Sequence, residues 1–138
     1  MNEAINEAKI GLNEGGIPIG SVIVYQDKII GRGYNQSQRL KDSTAHAEMI
    51  AITSAQNKIG SKYLNGCELY VTLEPCMMCS GAIFLSKISK VVYGLDDKEK
   101  GFLRSSKEYT NKKLKIISNI QEIKSKELLD SFFFKLRS

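Results

Sequence analysis

The ligands for a soft metal ion are concentrated in two short motifs, and this pairing constrains the fold more than any other feature of the sequence. His46 is the only histidine of the chain and begins the tripeptide His-Ala-Glu. Cys76 and Cys79, two of the three cysteines, lie in the pentapeptide Pro-Cys-Met-Met-Cys. Three such ligands beside the carboxylate of Glu48 are typical of a catalytic zinc site, which keeps a fourth position open for water. The fold must therefore bring two distant stretches of chain together.

The spacing within each motif predicts where the metal lies. Cys76 and Cys79 are three residues apart at the start of a predicted helix, so their sulfur atoms face the same side. The helix N-terminus also favours the thiolate form that binds metal. His46 and Glu48 are two residues apart and diverge on a regular helix, so they share a site only if the metal lies off the helix N-terminus. Both motifs then place their functional atoms just after strand ends, where α/β sheets form ligand crevices.

The combined pattern, H-x-E followed by P-C-x-x-C, is typical of zinc-dependent nucleobase deaminases. In that chemistry zinc lowers the pKa of a bound water to near 7 and makes hydroxide available. Glu48 would take the proton of the water and later deliver protons to the ring nitrogen and the leaving ammonia. Hydroxide attacks an amidine-like ring carbon, and an amino group leaves.

Other interpretations of the two motifs are less well supported. A redox-active CxxC needs no His-x-Glu upstream. A closed structural zinc site needs a fourth histidine or cysteine, and only Cys67 is left for that role. A lone histidine at a helix start is commonly a polar cap, but Glu48 and the downstream cysteines oppose this for His46. Cys67 itself is interpreted as a small buried residue, and the ligand types alone do not separate zinc from iron.

Length and composition indicate one globular domain. The 138 residues are 42% hydrophobic and 25% charged, which is average for a globular chain with a sizeable core. No apolar run approaches the roughly 20 residues that span a bilayer, and the N-terminus lacks the pattern of a secretory signal. Three cysteines, two of them in one CxxC, do not make a disulfide framework. We therefore expect a cytoplasmic protein without membrane association.

Positive charge is concentrated in the last third of the chain. Residues 1–97 carry nine Lys/Arg and ten Asp/Glu, whereas residues 98–138 carry eleven Lys/Arg and five Asp/Glu. Residues 98–138 therefore carry a net charge of +6 and residues 1–97 a net charge of −1, which favours a polyanionic partner held by the last third. A lysine-rich composition with a solvated helix face is the alternative interpretation.

Hydrophobic periodicity predicts an α/β fold with a five-stranded mixed sheet and helices on both faces. The predicted strands are 21–25 and 28–30, which form a hairpin, then 68–72, 90–94 and 114–117. The predicted helices are 1–12, about 44–57 after a polar stretch at 35–43, 75–86 opened by Pro75, and a last one carrying Leu129 to Leu136. A short crossover helix within 95–113 would let the last two strands run parallel.

The sequence around both motifs resembles the bacterial tRNA adenosine deaminase family, which makes inosine at the wobble position. The matching stretches are 16–20, 33–35, 44–49, 70–82, 88–94 and 130–137, so the similarity covers essentially the whole chain. The zinc motifs specify only the cytidine deaminase superfamily. The tripeptide Leu73-Glu74-Pro75 and the basic C-terminus with its phenylalanines point to the tRNA branch.

This resemblance implies a three-layer α-β-α cytidine deaminase-like fold, with residues 1–138 as a single zinc-dependent deaminase domain. It implies one zinc per subunit, held by His46, Cys76 and Cys79, and Glu48 as the catalytic proton shuttle. The implied activity is hydrolytic deamination of adenosine to inosine in a tRNA anticodon loop, through zinc-activated hydroxide. The family works as a homodimer in which the partner subunit helps to shape each active site.

The resemblance also implies a set of substrate-binding residues. Asn35 would hydrogen-bond the target base, although a turn residue after a strand is the simpler alternative. The others are the pocket residues Pro18, Ile19, Gly20 and Glu74, and Phe132, Phe133, Lys135 and Arg137 near the anticodon stem-loop. Core packing is the alternative role for at least one of the two phenylalanines.

Two departures from the family pattern keep other functions open. The 95–113 segment is shorter than in many members, with Asn111 and Lys112 where many carry an Asn-His pair. The stretch Gly15–Gly20 also resembles fungal cytosine deaminase. One alternative is therefore a free nucleobase deaminase of the cytosine or guanine type. The other is a zinc-containing RNA-binding module without catalysis, which the presence of Glu48 opposes.

Overall fold

The computed structural model describes residues 1–106 and 113–137, which form six helices and five strands. The helices are α1 (Asn2–Asn13), α2 (Ser37–Leu40), α3 (Ala47–Ile59), α4 (Met77–Leu85), α5 (Leu103–Ser106) and α6 (Glu122–Arg137). The strands are β1 (Gly20–Tyr25), β2 (Lys28–Tyr34), β3 (Glu68–Leu73), β4 (Lys90–Leu95) and β5 (Lys115–Ile117). The order agrees with the predicted one except for α2, which lies inside the polar stretch 35–43.

The five strands form one mixed sheet in the order β2-β1-β3-β4-β5. β1 is antiparallel to β2 and to β3, while β3, β4 and β5 run parallel. The predicted hairpin and the predicted parallel pairing of the last two strands are both confirmed. Because β3 and β4 are parallel, the segments that follow them, 74–76 and 96–100, leave the sheet at the same edge.

Helices cover both faces of this sheet. Gly20 and Ser21 are neighbours on β1 and therefore face opposite sides. A Cβ at Gly20 would meet the backbone of Ala8 on α1. Gly33 pairs with Ser21, so its open side faces the opposite layer, where Ala51 of α3 approaches. Because α6 packs beside α1 and α4 beside α3, the sheet is the middle layer of a three-layer α-β-α fold.

The main apolar core joins the sheet to α3 and α4. Its fully buried members include Ile23 of β1, Leu69 of β3, Val91 of β4 and Ile83 of α4. Cys67 belongs to the same cluster and is 1% exposed, which confirms its interpretation as a small buried residue. No helix of the described residues is long and apolar enough to cross a membrane.

Helix boundaries differ from the predictions for physical reasons. α4 begins at Met77, so Cys76 is its N-cap and Pro75 precedes the helix instead of opening it. α3 begins at Ala47, three residues later than predicted, because the preceding residues form turns. α6 begins at Glu122, two turns before the apolar repeat that predicts it. The repeat does not reveal these first turns because their residues are largely polar and solvent-exposed.

The glycines of β2 allow α3 to approach the sheet closely. A Cβ on Gly31 would meet the carbonyl oxygen of Ala51 and would lie 2.8 Å from the amide nitrogen of Ala55. A Cβ on Gly33 would lie 2.5 Å from the carbonyl oxygen of Ala47. These are backbone atoms of α3 that a side chain cannot push aside. The two glycines therefore fix the distance of α3, and of its N-terminus, from the sheet.

The substitution Gly31→Ala is expected to lower the free energy of unfolding by about 1–3 kcal/mol, because an overpacked site must push α3 and β2 apart. The matched control is Gly16→Ala, whose Cβ would have its nearest neighbours at 3.5 Å and should change stability by less than about 0.5 kcal/mol. Urea denaturation followed by circular dichroism measures both. Equal stabilities for the two variants would contradict the close approach.

Candidate metal centre and substrate cavity

The three predicted metal ligands meet at the N-termini of α3 and α4. His46 is the N-cap of α3 and Cys76 the N-cap of α4, both with extended backbone at ψ 154° and ψ 179°. The Nδ1 atom of His46 lies 3.6 Å from Sγ of Cys76 and 3.5 Å from Sγ of Cys79. The common point therefore lies off both helix ends, and Glu48, in the first turn of α3, lines the same cavity as His46.

The donor atoms and their spacing fit zinc. The ligand atoms of His46, Cys76 and Cys79 all lie within 4.8 Å of one another. Zinc bonds of about 2.3 Å to sulfur and about 2.0 Å to nitrogen at tetrahedral angles give an N···S separation of about 3.5 Å. Within residues 1–106 and 113–137 no further His, Cys, Asp or Glu joins this cluster, and Cys67 is buried in the core. Three ligands correspond to a catalytic zinc site with an open position.

Hydrogen bonding within the cluster favours a thiolate. The hydrogen bond with Cys79, helped by His46, lowers the pKa of Cys76 to about 3. The hydrogen bond with Cys76 raises the pKa of His46 in spite of partial burial. The same Cys76–Cys79 contact, together with burial, raises the pKa of Cys79. Since the thiolate is the form of cysteine that binds metal, the cluster already holds a charged ligand.

Glu48 is a buried carboxyl group beside the metal ligands. It is 4% exposed, and it lines the same cavity as His46 and Cys76. Burial raises its pKa to about 7, and the opposing hydrogen bonds and the attraction of His46 compensate only in part. A carboxyl group in this environment can both accept and donate a proton near neutral pH, as a proton shuttle must.

A cavity of about 780 Å³ opens beside the metal ligands at the edge where β3 and β4 end. Besides the metal-site residues, its lining includes five of the predicted substrate-binding residues, namely Ile19, Asn35, Glu74, Phe133 and Arg137. Such a volume is sufficient for a small ligand, and the mixture of apolar and polar side chains is typical of a binding site.

Two predicted pocket residues lie outside this lining. Pro18 is fully buried, and Gly20 packs against α1, where a Cβ would lie 2.8 Å from the side chain of Glu7. Ile19, between them, does line the cavity. Alternate residues of an extended segment face opposite sides, so only the middle residue of the three reaches the cavity.

Asn35 and Glu74 are held at the cavity by hydrogen bonds from the start of α2 and from the loop after β4. The Oδ1 atom of Asn35 accepts hydrogen bonds from the backbone N–H and the hydroxyl group of Ser37, both at 2.9 Å. The Oε1 atom of Glu74 accepts a hydrogen bond of 3.3 Å from the backbone N–H of Asp97. Glu74 thereby connects the segment before the cysteines to the loop after β4.

The end of α6 divides Phe132 and Phe133 between core and cavity. Phe132 is 9% exposed, whereas Phe133 is 40% exposed and lines the cavity. Their rings meet edge to face with centroids 5.2 Å apart. Phe132 therefore has the packing role that the sequence left open for one of the pair. Arg137 lines the cavity, and Lys135 is exposed outside the lining.

The sequence did not indicate any individual residue of the loop after β4 as part of the site. Asp96 to Lys100 line the cavity, and Oδ1 of Asp97 accepts hydrogen bonds of 3.1 Å from the backbone N–H groups of Glu99 and Lys100. The available signal was their position after a parallel strand, because ligands collect at the carboxyl ends of such strands. Asn111 and Lys112, the other departures from the family pattern, lie outside the described residues.

Residues 1–95 match the family model of the cytidine and deoxycytidylate deaminase zinc-binding region. Fold, ligand cluster and buried glutamate together therefore define a zinc-dependent deaminase.

Comparison with individual proteins defines the family more narrowly. The chain is 44% identical to the tRNA-specific adenosine deaminase of Aquifex aeolicus, over 100% of this chain and 94% of that protein. A solved structure from studies of A-to-I editing by tRNA:A34 deaminases superposes with a TM-score of 0.87 and 35% identity, covering 94% of this chain and 97% of the other. The guanine deaminase of Bacillus subtilis is also similar, with a TM-score of 0.66 and 40% identity over 69% of this chain and 61% of the other. The chain belongs to the tRNA-specific adenosine deaminase family.

The substitution Cys76→Ala is expected to abolish stoichiometric zinc binding, because two remaining ligands cannot hold the ion in a three-ligand site. The matched control is Cys67→Ala, which removes a cysteine from the core and should leave about one zinc per chain. Metal analysis of the purified proteins after dialysis measures both. Retention of one zinc per chain by Cys76→Ala would contradict the assignment.

Proposed function

We propose that this protein deaminates adenosine to inosine at the wobble position of a tRNA anticodon loop. The observation that carries the proposal is the buried carboxyl of Glu48 beside the His46–Cys76–Cys79 cluster, at a cavity that also contains Asn35. A purely structural metal site has no use for a buried acid in that place. Membership of the tRNA-specific adenosine deaminase family supports adenosine in RNA as the substrate.

Each chemical task in this reaction has a residue placed for it. His46, Cys76 and Cys79 would hold the zinc ion, which when bound lowers the pKa of a water to near 7 and so provides a nucleophile at neutral pH. Glu48 accepts a proton from the attacking water and passes protons to the ring nitrogen and the departing amino group. The products are inosine and ammonia, so the water supplies the new oxygen atom, one proton that stays on the ring nitrogen and one proton that leaves with the amino nitrogen.

The cavity must admit a base that has left its stack. Bases in RNA hairpin loops can be splayed out at low energetic cost, so an anticodon loop can deliver one nucleotide to the metal centre. The exposed face of Phe133 offers an apolar surface at the cavity, and Arg137 offers a cation for a nearby phosphate. We propose that these two residues contact the anticodon stem-loop.

The basic last third of the chain contributes to RNA binding only in part. Lys98, Lys100, Lys126 and Arg137 line the cavity, where they alternate with acidic residues. Lys115, in contrast, begins β5 and therefore lies at the opposite edge of the sheet. We propose that the cavity cations bind phosphates and give the salt dependence expected for a polyanionic substrate.

A free nucleobase deaminase is the second candidate, and the similarity to a guanine deaminase favours it. Its substrate would need the same zinc ligands and the same proton shuttle. The two candidates differ at the cavity entrance, because a neutral base has no phosphates for Lys98, Lys100 and Arg137 to bind. The lower coverage of the guanine deaminase also makes it the less favoured of the two.

The substitution Glu48→Gln is expected to lower the rate of inosine formation in a wobble-adenosine stem-loop by at least about 100-fold, because an amide cannot shuttle protons. Zinc content and stem-loop affinity should stay close to those of the unmodified protein, since glutamine has nearly the same volume. Glu68→Gln, at the opposite edge of the sheet, serves as the control and should keep full activity. An active Glu48→Gln protein would refute the role of this carboxyl.

We also propose that the protein is a homodimer and that α4 lies at the interface. Met77, Phe84 and Leu85 are spaced to lie on one side of α4 and are 67%, 42% and 70% exposed. This apolar strip begins beside the metal ligands, so a second copy packed on it would border the active site. We further propose that residues 1–138 form a single domain in each subunit. The free cysteines Cys76 and Cys79 favour the reducing cytoplasm as the location of the protein.

The substitution Leu85→Asp is expected to convert the dimer to a monomer at micromolar concentration, because a charge in an apolar interface is left without a partner. Ile123→Asp, on α6, changes a residue that is also 70% exposed and should leave the mass unchanged. Light scattering coupled to gel filtration measures the mass. A wild-type monomer, or dissociation by Ile123→Asp alone, would contradict the proposed interface.

A further inference from the structure

The side chain of Asn35 has one defined orientation at the cavity. Its Oδ1 atom faces the backbone N–H of Ser37, which can only donate a hydrogen bond. The hydroxyl group of Ser37 donates a second hydrogen bond to the same oxygen. Both bonds are 2.9 Å long and partly buried, and together they occupy the two lone pairs of the oxygen.

This arrangement leaves Nδ2 as the group that Asn35 can offer to a ligand. Among the described residues Nδ2 has no hydrogen-bond partner, and Asn35 lines the cavity beside the metal ligands. A carboxamide nitrogen is a donor only, so its partner on a base must be an acceptor. Adenine has ring nitrogens that can accept such a bond, whereas an N–H group of a base would find no free acceptor on Asn35.

The backbone around Asn35 is also fixed. Its N–H donates to the carbonyl oxygen of Ile19, and the N–H of Gln36 donates to the carbonyl oxygen of Ala45, each at 3.0 Å. The first bond connects Asn35 to the segment that lines the cavity, and the second connects it to the residue before His46. With the backbone held in this way, the remaining freedom of Asn35 is rotation of its side chain.

We propose that Ser37 is a positioning residue whose hydroxyl group holds Asn35 with its oxygen turned to α2 and its amide nitrogen available to an acceptor atom of the target base. This inference rests on the proposed function, because it assumes that a nucleobase enters the cavity. The backbone N–H of residue 37 is present whatever the side chain. The hydroxyl group is therefore the part of the arrangement that depends on the residue at this position.

The test compares five variants in single-turnover assays on a wobble-adenosine stem-loop. Ser37→Ala should lower kcat/KM about tenfold, and Ser37→Thr, which keeps the hydroxyl group, should remain within about threefold of wild type. Asn35→Ala and Asn35→Asp should both lose at least about 100-fold. The aspartate keeps the oxygen that Ser37 holds and replaces the donor with a charged acceptor oxygen.

The decisive variant is the double substitution Ser37→Ala with Asn35→Ala. If Ser37 acts through Asn35, the double variant should be within twofold of Asn35→Ala alone. A further tenfold loss would show that Ser37 acts on the substrate directly and would overturn the proposal. An Asn35→Asp protein as active as wild type would overturn it as well, since the donor would then be dispensable.

Controls separate this inference from folding defects and from the proposed function. Zinc content and thermal midpoint should be the same in all five variants, because neither residue binds the metal. If the wild-type protein forms no inosine but converts free guanine, the proposed function fails. The same variants assayed on guanine, which also has acceptor atoms, then test the positioning role on its own.

Discussion

The convergence of two helix N-termini at one edge of the sheet is the constraint on which the site depends. His46 and Cys76 are N-caps with extended backbone, so each side chain leaves its helix at the end and not along its side. Their meeting requires α3 to lie close to the sheet, which the glycines of β2 allow, and β3 to end beside β4. A small change in the distance of α3 from the sheet, or in the pairing of β3 with β4, would separate ligand atoms that lie 3.5–3.6 Å apart.

Burial divides this site into a fixed interior and a variable entrance. Glu48 and Cys79 are buried by the packing of α3 and α4 against the core, so these two side chains have little freedom to move. The entrance is formed by Asp96 to Lys100 and by the end of α6, whose side chains are mostly exposed. Such a division lets one chemistry serve different substrates, because the entrance can change without disturbing the metal ligands.

Sequence predicted the parts of this structure that depend on period and motif. Strand-like runs gave the mixed sheet and its parallel last pair, and the spacing of His46 and Glu48 indicated a site off a helix end. The short helix α2 was not predictable from periodicity, because four residues show no helical repeat. Its ends are instead defined by a hydrogen bond to Asn35 and by Lys41 in the left-handed conformation. It carries Ser37, which has no motif of its own.

The sequence also did not predict which way individual side chains face. Ile19 reaches the cavity while Pro18 and Gly20 do not, and Phe133 reaches it while Phe132 is packed. Neighbouring residues of similar character differ here only in the side they face. The sequence also does not separate the charges of residues 98–138, whereas the sheet places Lys115 at the edge opposite the metal ligands. The roles of the substrate-binding residues remain predictions.

The central claim is that this cavity takes its reacting adenosine from a tRNA loop. The most direct measurement is deamination by the purified, zinc-loaded protein, with an anticodon stem-loop carrying adenosine at the wobble position in one reaction and free guanine and cytosine in others. The account predicts inosine in the stem-loop, suppressed by added salt, and no conversion of the free bases. Conversion of a free base with an unchanged stem-loop would contradict it.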